Sequence, residues 1–266
     1  MLILALDTTS EMGGVGIFRG AECLSLVSNE EPANRYSVSL FEMAERALAG
    51  AHLELCEIEL YAVANGPGSF TGIRVGLAAA RAWGKAFGRP VRGVSILEAL
   101  VHKACLCVSP EPPPSRGGES AGEGEGPLQR HDPDWYFPIL DARRGEFYLG
   151  SFRRKSSVPS ISALPAYEPA DGGWVLKPDS LQAFLKDRLT GSPSATCLVR
   201  AHDQVAARLR TVLPSSLNWQ AVEGLLVNSL AGIAEREALS GRSAQGANLE
   251  AYYIRRPDAE VTWKGD

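Results

Sequence analysis

The chain is poor in the residues that most often announce a chemistry. Across 266 residues there are 4 histidines (His52, His102, His131 and His202), and they are dispersed. The 5 cysteines, at positions 23, 56, 105, 107 and 197, are odd in number and scattered. Cys105 and Cys107 form a C-x-C with no second pair to complete a zinc site, and nothing suggests a disulfide framework, so reduced thiols in a cytoplasmic protein are expected. Cations are not in surplus: Lys+Arg number 27 against 31 for Asp+Glu, a formal charge of −4. A nucleic-acid surface would have to be a local patch within that balance. No apolar run approaches the ~20 residues of a membrane-spanning helix, and no membrane association is expected. The apolar start, Met1 to Leu6, lacks a basic flank and meets Asp7 too soon for a signal peptide. No Gly-x-Ser-x-Gly elbow occurs, and Gly66 to Gly72 lacks the Lys-Ser/Thr that closes a P-loop.

What is present is an alternation of strands and helices, which argues for an α/β fold. Residues 2–6 read as a buried strand, and the glycine turns at 13–14 and 19–20 lead through two more strands to Ser28. Helical spacing predicts a helix over 36–49, where Val38, Leu40, Phe41, Ala44, Ala47 and Leu48 recur. A strand at 60–64, a helix at 71–87 ended by Gly88 and Pro90, a strand at 91–94 and a helix at 95–105 follow. The stretch 108–134 is rich in Pro, Gly and Glu and too poor in apolar residues to offset ordering entropy, so it is expected to be a disordered insert.

After the insert the pattern restarts. Phe137–Asp141 echoes Ile3–Asp7, and Gly150, Phe152 and Arg153 follow Asp141 at the distances at which Gly16, Phe18 and Arg19 follow Asp7. The order of strand, Asp, turn and strand is that of a duplicated unit. Residues 1–107 and 135–266 are therefore expected as two lobes, the final helix packing back on the first. The second half is predicted to hold helices at 179–189, 202–209 and 219–239 and a strand near 196–200.

The most informative segment is Asn65 to Gly76. An apolar strand stops at Asn65, Gly66, Pro67 and Gly68, and Ser69 or Thr71 can cap the helix that begins next. A helix N-terminus at such a loop suits an anion or close packing by another chain. Gly72, Gly76, Ala79, Ala80 and Trp83 share one side of this helix. Two readings stay open for that side: it admits a partner helix, or it packs on its own sheet.

Gly66-Pro67-Gly68-Ser69-Phe70-Thr71-Gly72-Ile73-Arg74-Val75-Gly76 resembles the signature of the TsaB (YeaZ) family. Leu4 to Ser10, Asp141 to Glu146 and Tyr252-Tyr253-Ile254-Arg255 match as well. The similarity runs from residue 1 to about 107, resumes near 135 and is faint over 155–245. The resemblance implies an actin/hexokinase-like, duplicated two-lobe α/β fold with a degenerate second lobe. In that superfold ATP lies between the lobes, held by a glycine-rich turn from each.

By that analogy Asp7, Thr8 and Thr9 form a degenerate phosphate turn, with Asp7 on a metal-bound water and a threonine on phosphate; alternatively they only cap the strand end. Gly66, Gly68, Ser69, Thr71 and Gly72 form the glycine-rich loop and helix N-terminus. The second turn, Asp141 to Gly145, has no Gly-x-Gly, and Asp171-Gly172-Gly173 is a substitute or simply a turn. Catalytic relatives (TsaD) bind metal through a His-x-x-x-His. Aligning that helix here places Ile96 and Leu100 at the two positions, and His102 falls about 200° around the helix from Leu100. No metal ligand and no catalytic residue is therefore expected, and no cofactor held by the chain alone; ATP or ADP at an interface with a TsaD-like partner remains open.

The resemblance implies a non-catalytic subunit that supports a TsaD-like protein in threonylcarbamoylation of the adenosine beside the tRNA anticodon. A TsaE-like ATPase would join the complex, and tRNA would be contacted through it. Val38, Phe41, Glu45, Arg74, Ala78, Arg81 and Lys85 are the candidate contacts with TsaD or with a second copy of the chain. Arg143, Arg144, Arg153, Arg154 and Lys155 are a candidate basic strip for the RNA, or a solvated hairpin. The family commonly has His-Ser where this chain has Tyr36-Ser37. The rival expectations are an ATP-dependent small-molecule kinase of the same superfold and a stand-alone regulatory homodimer.

Overall fold

The computed structural model describes residues 1–29, 36–107, 133–155, 167–189, 195–200, 208–209, 211, 213, 218–222, 224–241 and 249–255. The first half builds β1 (Leu2–Asp7), β2 (Gly14–Arg19), β3 (Glu22–Ser28), α1 (Tyr36–Gly50), a short 3-10 turn (Leu55–Glu57), β4 (Leu60–Gly66), α2 (Phe70–Phe87), β5 (Val91–Ser95) and α3 (Ile96–Cys107). The second half builds β6 (Trp135–Asp141), β7 (Phe147–Arg154), β8 (Tyr167–Leu176), α4 (Pro178–Leu189), β9 (Ala195–Arg200), β10 (Trp219–Val222) and α5 (Val227–Leu239).

The strands form two five-stranded sheets, ordered β3-β2-β1-β4-β5 and β8-β7-β6-β9-β10. In each, the first three strands are an antiparallel meander, and the first strand also pairs in parallel with the fourth. Parallel pairing then continues to the fifth. The same order with the same strand senses is a duplication of the whole unit. Its register is not the one that equal sequence spacing suggests. Asp7 lies opposite Gly14, but Asp141 lies opposite Phe147, because the second hairpin connection is one residue shorter. The place opposite Ile139, which corresponds to that of Gly16 opposite Ala5, therefore belongs to Leu149 and not to Gly150.

Central strands buried on both faces explain the unbroken apolar runs of β1 and β4. One face, with Leu4, Leu6, Val15, Ile17, Tyr61 and Val63, packs under α1 and α2. The other face, with Ile3, Ala5, Phe18, Leu60 and Ala62, meets α3, α5 and the inner face of the second sheet in one continuous core. Phe137, Ile139, Phe147 and Leu149 on the outer face of the second sheet are covered by Leu181 and Leu185 of α4. The layers thus alternate helix, sheet, helix, sheet, helix. α5, from the second half, lies on β1, β2, β4 and β5, and α3, from the first half, reaches β6, β7, β9 and β10.

Three expectations need correction or delimiting. The helix expected over 219–239 is a strand followed by a helix: Trp219–Val222 pairs in parallel with β9, and α5 begins at Val227. Asp171-Gly172-Gly173 is not a turn but part of β8, an edge strand with register shifts opposite Ser151. Most of the stretch read as an insert, 108–132, and most of the helix expected at 202–209 lie outside the described residues.

Candidate functional site: the paired turns and the α1–α2 face

Asp7 closes β1, and Thr8 and Thr9 carry the chain into the following turn; all three are sealed from solvent. The Asp7 Oδ1 accepts the Thr9 amide at 2.9 Å and the Thr9 hydroxyl at 2.6 Å. The Thr8 hydroxyl donates to the Gly72 carbonyl at 2.7 Å, and the Ser69 amide donates to the Thr9 carbonyl at 2.7 Å. Of the two cap candidates, Ser69 is the N-cap: its hydroxyl accepts the Gly72 amide at 3.2 Å. Thr71 is exposed on the first turn of α2.

The glycines of the loop are places where backbone meets backbone. A Cβ on Gly68 would lie 2.5 Å from the Thr9 carbonyl, and one on Gly72 would overlap the Thr8 carbonyl. Gly66, at φ +123°, is closed off by the Tyr252 carbonyl, and Gly76 faces the Thr8 side chain, Leu6 and Val63. The small-residue side of α2 thus packs on the first turn and its own sheet, which resolves the alternative left open above. Both threonine hydroxyls and the Thr9 amide are already committed inside the protein, so this turn does not fit a phosphate as a row of free donors.

The second turn repeats the device. Asp141 Oδ1 accepts the Arg143 amide at 2.8 Å, as Asp7 does that of Thr9. Arg143 and Arg144 hold φ of +59° and +53° ahead of Gly145 at +80°. Non-glycine residues in the left-handed region are strained by ~1–3 kcal/mol each. Arg143 pairs with Glu11 of the first turn at 3.6 Å, so the two turns face one another across the junction of the lobes. Further along, Arg153 and Lys155 pair with Glu168, and Arg154 pairs with Asp134. The candidate basic strip is therefore largely neutralised by its own neighbours.

The α1 helix turns Tyr36, Leu40, Met43, Ala44, Ala47 and Leu48 inward. Val38 and Phe41 point the other way, 73% and 55% exposed, with Glu45 exposed beside them. Phe41 meets the edge of Trp83 on α2 with ring centroids 6.0 Å apart. Arg74, Ala78, Arg81 and Lys85 line the exposed side of α2. All seven sequence-named contact residues therefore lie on one pair of adjacent helices. Sequence reasoning missed Phe70 and Tyr253, whose rings lie 5.1 Å apart, the Arg74 guanidinium resting over that of Phe70. It also gave no role to Tyr36, which is buried and donates its hydroxyl to the Ser10 carbonyl at 2.9 Å.

Ile96 and Leu100 are buried in the core between the sheets, among carbon atoms that offer nothing to a cation. His102 lies beside that core, between α3 and α5, and burial together with the Arg236 charge pushes its imidazole down to about 4. Among the described residues no cluster of His, Cys, Asp or Glu is placed to hold a metal, and no helix is long and apolar enough to cross a membrane.

Two lobes of one topology, packed through a shared helical layer with their Asp turns facing one another, define the actin/hexokinase-like class. Residues 27–125 match the family profile described as TsaD: tRNA N6-adenosine threonylcarbamoyltransferase. The tRNA threonylcarbamoyladenosine biosynthesis protein TsaB of Haemophilus influenzae is 35% identical over 270 residues, spanning 99% of this chain and 96% of that protein. An uncharacterized protein of Mycobacterium leprae is 41% identical over 108 residues, which take in 37% of this chain and only 28% of that longer relative. A crystal structure from Pseudomonas aeruginosa, of an uncharacterized protein with similarity to peptidase YEAZ, superposes with a TM-score of 0.67 at 19% identity. It covers 96% of this chain and 99% of that one. The chain belongs to the TsaB (YeaZ) family.

Proposed function

We propose that this chain is a non-catalytic subunit of a tRNA threonylcarbamoyladenosine-forming complex. It docks on a TsaD-like threonylcarbamoyltransferase through the exposed side of α1 and α2. The observation that carries this reading is the pair Val38 and Phe41, held out to solvent on a helix whose opposite face is buried. Apolar anchors ringed by Glu45, Arg74, Arg81 and Lys85 have the composition of an interface core and rim. The committed groups of the first turn and the apolar residues at 96 and 100 support assigning the chemistry to the partner. In this reading a TsaE-like ATPase joins the complex and tRNA is contacted jointly. Any ATP or ADP sits at the shared interface.

Calorimetric titration of the full chain into the TsaD-like protein of the same source tests the reading. Phe41→Asp is expected to weaken binding at least ~30-fold, the scale of an interface hot spot, with the chain still folded at the assay temperature by circular dichroism. Wild-type affinity in Phe41→Asp and Val38→Asp would refute the docking face. Titration of the chain alone with Mg-ATP is expected to give no heat; micromolar binding would instead favour a kinase.

A further inference from the structure

Residues 249–255 contact the end of β4, the start of α2, β8 and the β6–β7 turn. Leu249 is fully buried in the core under α1 and α2, and Ala251 packs on the same cluster. Tyr252 and Ile254 turn the other way, onto the core between the sheets. The Tyr252 amide donates to the Asn65 carbonyl at 2.8 Å, and the Asn65 side-chain amide donates to the Glu250 carbonyl at 3.4 Å. These bonds fasten the segment to the end of β4 in the first lobe.

The same residues then reach the second lobe. The Tyr252 hydroxyl accepts the Gly173 amide of β8 at 3.0 Å. Arg255 donates through Nη1 to the Ala142 carbonyl at 2.9 Å and through Nη2 to the Glu146 carboxylate, both in the β6–β7 turn. Tyr253 points back to α2, where its hydroxyl accepts from Arg74 Nε at 3.2 Å. The segment needs both of the glycines it crosses. A Cβ at Gly66 would lie 2.5 Å from the Tyr252 carbonyl, and one at Gly173 would lie 2.8 Å from the Tyr252 hydroxyl and also strike Ile254.

We infer that residues 250–255 are a clamp that fixes the angle between the lobes by tying the end of β4 to β8 and to the β6–β7 turn. Packed apolar layers such as those of α3 and α5 can slide over one another in small shear motions. Directional bonds from one short segment to both lobes resist that sliding, and those of Arg255 are strengthened by charge. Gly66 and Gly173 are then required by the chain's own C-terminal segment and not by a phosphate.

The test uses the full chain carrying Arg255→Ala. Spin labels on Cys56 in the first lobe and on Asp187→Cys in the second report the distance between lobes, with Cys23 and Cys107 replaced by serine. The inference expects a wider distance distribution in Arg255→Ala. It also expects at least tenfold faster hydrogen exchange at the Tyr252 amide, in the other lobe from the substituted contact, with β1 and β4 amides unchanged. An unaltered distance distribution, with faster exchange confined to residues 142–146, would overturn it. Should Arg255→Ala fail to fold, Arg255→Lys and Tyr252→Phe decide by the same two readouts.

Discussion

Substituting alanine for Gly72 tests whether the first turn is held by its own chain. A Cβ built on Gly72 falls less than 3.0 Å from the Thr8 carbonyl oxygen and 3.3 Å from the Ser69 Cβ. The obstructing atom is buried backbone, so relief requires the start of α2 to move off the β1 turn. Overpacking of this kind costs ~1–3 kcal/mol. The same movement strains or breaks the buried Thr8–Gly72 hydrogen bond of 2.7 Å, a further ~1–3 kcal/mol if the carbonyl is left unpaired. Against this, alanine restores ~1 kcal/mol of helix propensity. The net destabilisation expected is ~1–5 kcal/mol. With ~2.1 cal/mol/K of unfolding entropy per residue over 266 residues, the melting temperature falls by roughly 2–9 °C. Urea unfolding followed by circular dichroism, with the slope m unchanged, measures the loss of free energy, and a thermal melt measures the shift. Gly172→Ala is the control, because a Cβ there meets nothing within 4 Å; it is expected within ~0.5 kcal/mol of wild type. A Gly72→Ala protein as stable as wild type would refute the packing account of the glycine motif.

Two further expectations follow from buried titratable groups. His102 ionises only near about 4 in the folded chain, against 6.5 ordinarily, so the unfolded state binds more protons between those values. Stability therefore falls as pH drops through that window, by up to ~3 kcal/mol, and this contribution is constant above it. Urea midpoints near about pH 7 and about pH 5 should differ less in His102→Leu than in wild type; equal differences would remove His102 as the cause. Burial also pushes the Cys197 thiol up to about 12, while Cys23 and Cys56 are exposed. Maleimide labelling read by peptide mass should modify Cys23 and Cys56 in the native protein and Cys197 only in denaturant, and native labelling at Cys197 would contradict the burial.

Much of the first half was legible because its signals are local. The apolar run of β1, the Ser69 cap and the Gly88 stop with its αL conformation all lie within a few residues of what they determine. The strand at Trp219–Val222 was not legible. Its apolar spacing continues smoothly into α5, and only the parallel pairing with β9 across the sheet makes it extended. Gly172-Gly173 has the composition of a turn, but edge pairing to β7 keeps it in β8. The seven surface residues on α1 and α2 could be placed from helical phase together with the family resemblance. The clamp could not, because Tyr252 and Arg255 find their partners more than seventy positions away in the chain.

The exchange of helices between the halves has a consequence for how the molecule can be divided. α3 belongs by sequence to the first half yet shields the second sheet, and α5 does the reverse. A chain cut anywhere between Cys107 and Trp135 would leave each piece with a bare apolar sheet face. Neither fragment is then a domain that stands by itself, but the two are mutually complementary and should reassemble when mixed, as a split protein does.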